Sequence, residues 1–218
     1  MTAARRAQRG LVRGCCLLGV AAVAIVGAVV FLAVRSLAAP DLGAAPQGPD
    51  HGDTETAIAV TLASQAVAEL LAQPHAVVTL SEHDLTVLAA AHHPDDLSDV
   101  SARIRDQLIV LSGHRPFGPL TFTPVAHVSI RLDVTKSPPD LSSRVVELDV
   151  GQLGMPGFIR DRILGSFAST IDLNRLFSGS PALQALRANL ECVAVVPEGL
   201  RVGVRRPGAQ IDTSVCAS

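Results

Sequence analysis

Tryptophan and tyrosine are absent from this sequence and phenylalanine occurs only six times, which removes the aromatic platforms on which sugar rings and single-stranded bases stack. Lysine occurs once, as Lys136, against seventeen arginines in a chain rich in Ala, Gly and Pro; the bias points to a GC-rich bacterial genome. No acid precedes Asp41 and no charge falls between Cys15 and Val34. The first 35 residues carry five arginines, while thirteen bases stand against twenty acids in the rest, a formal −7. A surface of that sign does not neutralise phosphates, so nucleic acid is excluded as a partner. Docking onto anionic headgroups by charge alone is disfavoured for the same reason.

Nucleophile elbows, Walker loops, HExxH and paired CxxC spacings are missing too. No catalytic residue, cofactor or metal is therefore expected. Ser81, His83 and Asp84 stand close together, but Ser81 and Asp84 have the spacing of a helix capping box, which leaves His83 on a surface turn. His92, His93, Asp95 and Asp96 crowd a helix end beside Pro94 without zinc-site spacing, and read as a solvated terminus.

What the chain does have is apolar surface: 48% of its residues are hydrophobic and the mean hydropathy is +0.37. Twenty residues, 15–34, are uncharged, and at 1.5 Å rise they span about 30 Å, the thickness of a bilayer core. Four arginines precede this run and one follows, so the inside-positive bias puts residues 1–14 in the cytoplasm, 15–35 across the cell membrane as a single signal anchor, and the rest outside. A cleaved leader is the alternative, with Ser36-Leu37-Ala38 as a tolerable cleavage site, although leader cores usually run to only 7–15 residues.

Beyond the anchor, residues 36–53 have linker composition, with a reach of roughly 20–25 Å if flexible. Residues 54–74 read as a juxtamembrane helix, with Ile58, Leu62, Ala66 and Leu70 at four-residue spacing and Pro74 as the stop. A strand over 76–80 feeds a helix over 82–92 capped by Ser81. Residues 100–111 read as one strand. Over 126–134, Ala126, Val128, Ile130, Leu132 and Val134 alternate with polar neighbours, and Val146, Leu148 and Val150 repeat the period after a Pro-Pro turn, so a hairpin with one buried face is expected. Pro156 opens a helix carrying Ile159, Ile163, Phe167 and Ile171 on one stripe. A short helical turn at 180–181 precedes a closing hairpin over 190–196 and 200–204. This order predicts an α+β domain over 75–210, followed by a tail at 211–218. Cys192 and Cys216 either remain as thiols or pair in an oxidising compartment; pairing would close a loop of about 25 residues and stabilise the fold by roughly 3 kcal/mol.

Three stretches resemble the bacterial TULIP-like lipid-binding families, the anchored YpmS-like and LmeA-like ectodomains. They are Val78-Thr79-Leu80-Ser81-Glu82-His83-Asp84-Leu85; Val150-Gly151-Gln152-Leu153-Gly154-Met155-Pro156 with the helix after it; and Ile171-Asp172-Leu173 with Pro197-Glu198-Gly199-Leu200-Arg201-Val202. The resemblance implies a curved antiparallel sheet wrapping a long helix, with an apolar groove for acyl chains. Its lining would be Val128, Ile130, Leu132, Val146, Leu148, Phe158, Ile159, Ile163, Phe167 and Ile171. The same residues would equally fill a packed core. The expected partner is a membrane lipid, held by a tethered domain at the outer face; the alternative is an envelope adaptor that binds another protein.

Overall fold

The computed structural model describes residues 25–28, 31, 42–43, 48–92, 97–117, 120–150, 153–154 and 181–217. The chain divides into two units, Met1–Ala38 and Ala39–Ser218. In the first, residues 25–28 and 31 are helical, with Ile25, Val26 and Phe31 exposed. The remainder of the expected 15–34 span lies outside the described residues, as does the helix expected from Pro156, with Phe158, Ile159, Ile163, Phe167 and Ile171.

The second unit is α+β, with two antiparallel sheets. Helix α1 (Glu55–Ala72) starts where the Thr54 hydroxyl accepts from the Ala57 amide, and ends at Gln73 before Pro74. The Arg206 guanidinium donates to the Leu70, Leu71 and Gln73 carbonyls left open at that end. Among the described residues it is the one helix long and apolar enough to cross a membrane, yet Ile58, Leu62, Ala63 and Ala66 are buried against the domain. Strand β1 (His75–Leu80) follows, then α2 (Glu82–Ala91).

Residues 100–111, expected as one strand, are parts of two. Strands β2 (Ser98–Arg105) and β3 (Leu108–Phe117) pair across a two-residue turn in which Asp106 and Gln107 take φ of 51° and 62°. Left-handed backbone at both positions is the turn that matches strand twist, usually written Asn-Gly or Asp-Gly. Without that glycine the turn is silent in the sequence.

A short β4 (Leu120–Phe122) pairs with β3. Strands β5 (Pro124–Asp133) and β6 (Asp140–Val150) form the expected hairpin, and β7 (Leu153–Gly154) completes the order β2-β3-β5-β6-β7. Helix α3 (Pro181–Ala188) leads into β8 (Leu190–Val196) and β9 (Gly199–Arg205), which with β1 make the second sheet in the order β1-β9-β8. The single wrapped sheet expected from the sequence is thus two sheets, in contact through β5 and β8.

The core is one cluster fed by both sheets and by α1 and α2. It joins Ile58 and Leu62 to Leu85 and Leu88, Val78 and Val202 of one sheet, and Ile104, Ile109, Val128 and Leu148 of the other. Val110 and Val125, on the opposite face of the larger sheet, are buried as well, so β3 and β5 are covered on both sides at these positions, while His127 and Ser129 are half-buried and Arg131 is exposed.

Two segments expected outside the fold belong to it. Within the expected linker, His51 is only 6% exposed, and a Cβ added to Gly48 would stand 2.6 Å from the Ser81 Cβ. The expected tail contains a 3₁₀ turn, Thr213–Cys216, and Cys216 is bonded to Cys192 with Cα atoms 6.0 Å apart. Gly203 makes room for that bridge, since a Cβ there would lie 2.2 Å from the Cys192 sulfur.

Candidate functional site

Helix α2 begins as the sequence indicates. The Ser81 hydroxyl accepts from the Asp84 amide, and the Asp84 carboxylate accepts from the Ser81 amide, completing the capping box. The structure adds a third partner. His51, 33 residues upstream, places Nδ1 2.7 Å from the same Asp84 Oδ2 that takes the Ser81 hydroxyl proton at 2.7 Å. The residue types of a hydrolytic triad are present, but serine and histidine both address the carboxylate. Ser81 is 1% exposed and its hydroxyl already serves the cap, so this constellation presents no nucleophile to a substrate.

Next to it, Glu82 is 2% exposed and reaches β2 of the larger sheet, where its Oε1 accepts from the Ile104 amide at 2.6 Å and from Arg105 at 3.1 Å. Arg105 also donates to the Leu42 carbonyl, fixing the strap upstream of α1, of which residues 42–43 and 48–53 are described. Glu82 Oε2 has no hydrogen bond and stands 3.7 Å from Arg103 Nε. These side chains join α2, β2 and the strap.

A third buried acid comes from a β-bulge. Leu190 pairs with Val204 and Cys192 with Gly203, so Glu191 is the extra residue. Fully buried, it accepts from the Asp212 amide at 3.1 Å and meets His75 Nδ1 at 2.9 Å. Asp212 in turn accepts from the Ser214 hydroxyl and amide, which hold its carboxyl below the usual carboxylate range.

The outer face of β2 and β3 carries a cleft of about 210 Å³ beside Leu42. Arg103, Ser101, Ser112, His114 and Thr123 line it, with Asp99 at the rim. Ser101 and Ser112 hydroxyls lie 2.9 Å apart.

Among the described residues, two groups of side chains have metal-ligand types within 4.8 Å of one another: Asp50, Asp53 and His83, all exposed, and His127, Glu147 and Asp149 on the β5–β6 hairpin. In the first, His83 is 3.4 Å from Asp53, an exposed ion pair. His92 pairs with Glu55 at 3.2 Å, while His93, Asp95 and Asp96 lie outside the described residues.

The expected groove residues separate into three environments. Val128 and Leu148, each 1% exposed, are sealed in the core. Ile130 and Leu132 are half-buried at its edge. Val146, expected on the inner face, is instead exposed at 45%. His127 pairs with Glu147 and Val128 with Val145, so Val146 is a bulge residue, and the inner face of β6 passes to Leu141, Ser143 and Val145. A one-residue insertion reverses the side-chain parity of everything beyond it.

Sequence reasoning missed His51 and Glu191. A lone histidine in a Pro-Gly-Asp stretch carries no local signal, and a glutamate inside an apolar strand is the only mark Glu191 leaves. The chain matches no protein-family model, no curated protein and no solved structure.

Proposed function

We propose that the protein is a non-catalytic, membrane-tethered extracytoplasmic module that binds lipid acyl chains on an aliphatic margin of its core. The observation that carries the reading is the gradient along β5 and β6, from sealed Val128 and Leu148 to half-buried Ile130, Leu132 and Val145. Strand β8 touches β5 and contributes Val193 and Val195 in the same half-buried state, and α3 contributes Leu186. These six side chains bring no charge or polar group. Burying a methylene is worth about 0.8 kcal/mol, so a chain laid along them gains by apolar contact, while the bilayer offers a similar gain. Exchange with the membrane would be close to neutral, which suits presentation or transfer rather than storage. The anchor read in residues 15–35 supplies a high local lipid concentration without a basic surface. The TULIP-like resemblance of residues 75–210 points the same way.

Native mass spectrometry of the full chain released from maltoside micelles tests the reading. Wild type is expected to retain acyl-lipid mass and Leu132→Asp to lose most of it. Equal retention by the two would count against the margin as the binding surface.

The adaptor reading draws support from a different feature. Val60, Val67 and Leu71 are exposed on the outer side of α1 at 63%, 54% and 80%, an apolar stripe suited to a protein contact. Capture of a stoichiometric envelope protein, lost in Val67→Asp, together with no lipid retention, would favour it.

A further inference from the structure

We propose that the cleft on the outer face of β2 and β3 is a binding site for a phosphate-type oxyanion. Two buried side-chain nitrogens around the cleft, on Arg103 and His114, have no hydrogen bond. Arg103 gives Nη1 to its neighbouring Ala102 carbonyl at 2.9 Å, but Nε is buried without a hydrogen bond. Its nearest acid, Glu82, has one oxygen taken by the Ile104 amide and Arg105 and holds the other 3.7 Å away. One carboxylate therefore faces two guanidinium groups. Thr123 is 6% exposed and lines the same cleft, where its side chain brings a hydroxyl that can donate. Ser101 and Ser112 share one hydrogen bond between two hydroxyls, which leaves one proton to donate. His114 Nδ1 is buried without a hydrogen bond, 3.4 Å from Asp99.

Buried donors without acceptors cost free energy that a bound anion recovers, and charge-assisted hydrogen bonds from a guanidinium are among the stronger ones. The opposing groups are Glu82, whose charge Arg103 shares with Arg105, and Asp99, whose side chain is 80% exposed at the rim. A volume of about 210 Å³ admits a phosphate with a small substituent. The backbone builds the concavity. A bulge between Ser98 and Ser101 turns Asp99 into the left-handed region at φ 50°, and Gly113 lets the Leu97 side chain approach where a Cβ would meet it at 2.6 Å.

The ligand has two possible sources, free phosphate or a lipid headgroup. Leu42, at the edge of the cleft, is seven residues beyond Arg35, a chain length of at most about 25 Å. On the tethered reading, headgroup phosphates are within that reach. The site lies on the face of the sheet opposite the aliphatic margin and does not depend on acyl binding there.

The test titrates the full chain in maltoside micelles with inorganic phosphate and with dihexanoyl phosphatidic acid, read by calorimetry and ³¹P line broadening. Saturable phosphate binding is expected, weaker by about tenfold or more in Arg103→Gln and by about fivefold in Thr123→Val. Asp99→Asn, which the left-handed backbone tolerates, is expected to bind severalfold more tightly. Tighter binding of the phosphatidic acid by about tenfold or more identifies a headgroup as the ligand; equal binding identifies free phosphate. Absence of saturation, or affinities unchanged in Thr123→Val and Asp99→Asn, overturns the proposal even if Arg103→Gln unfolds. Lipid retention in Asp99→Asn separates a failure here from a failure of the acyl margin.

Discussion

Asp84 receives the Ser81 amide, the Ser81 hydroxyl and the His51 ring on one buried oxygen. Removing it takes the N3 carboxylate from the capping box and leaves three donors in a closed environment. Asp84→Ala is expected to cost about 2–4 kcal/mol in chemical denaturation of the solubilised chain; a loss under about 0.5 kcal/mol, the ordinary surface range, would contradict this role. Asp212 acts at the other end of the domain with a definite pH signature. Its carboxyl is held below the usual range by the Ser214 hydroxyl first and the Ser214 amide second, so folding favours the charged form. The contribution is complete above about pH 4 and fades as the pH falls through the lowered value. Acid unfolding of Asp212→Asn should therefore depend less on pH below about 4 than that of wild type.

Elements were legible where chemistry is local. Thr54 with Pro74 bounded α1, Ser81 with Asp84 capped α2, and the alternation from Ala126 marked β5. Features set by one unusual backbone residue were hidden, namely the Asp106–Gln107 turn and the bulges at Val146 and Glu191. A bulge leaves composition unchanged while moving a side chain to the other face. The two faces of β6 make this measurable: Leu148→Ala is expected to cost about 2–5 kcal/mol, whereas Val146→Ser should stay within about 0.5 kcal/mol. Comparable losses at both positions would place Val146 back in the core. Of the candidate sites, the apolar margin was partly readable through Ile130 and Leu132. The cleft was not, because Ser101, Arg103, Ser112 and Thr123 come together only through the pairing of β3 with β2 on one side and β5 on the other.

At the scale of the whole molecule, buried polar contacts and one covalent bridge fasten both ends of the domain to its body. His51 and Leu42 tie the strap to α2 and β2, and the Cys192–Cys216 bridge with Glu191 ties the C-terminal turn to the smaller sheet. A bridge closing a loop of this length contributes about 3 kcal/mol. Such fastening suits a domain that holds its shape beside a membrane. On the lipid-binding reading proposed above, the aliphatic margin of β5, β6 and β8 is where a lipid chain would meet the protein. Photo-crosslinking of the full chain in vesicles containing a phospholipid with a diazirine at the acyl terminus tests this most directly. The account predicts adducts in peptides containing Ile130–Leu132 and Val193–Val195 in addition to residues 15–34. Adducts confined to residues 15–34 would contradict it.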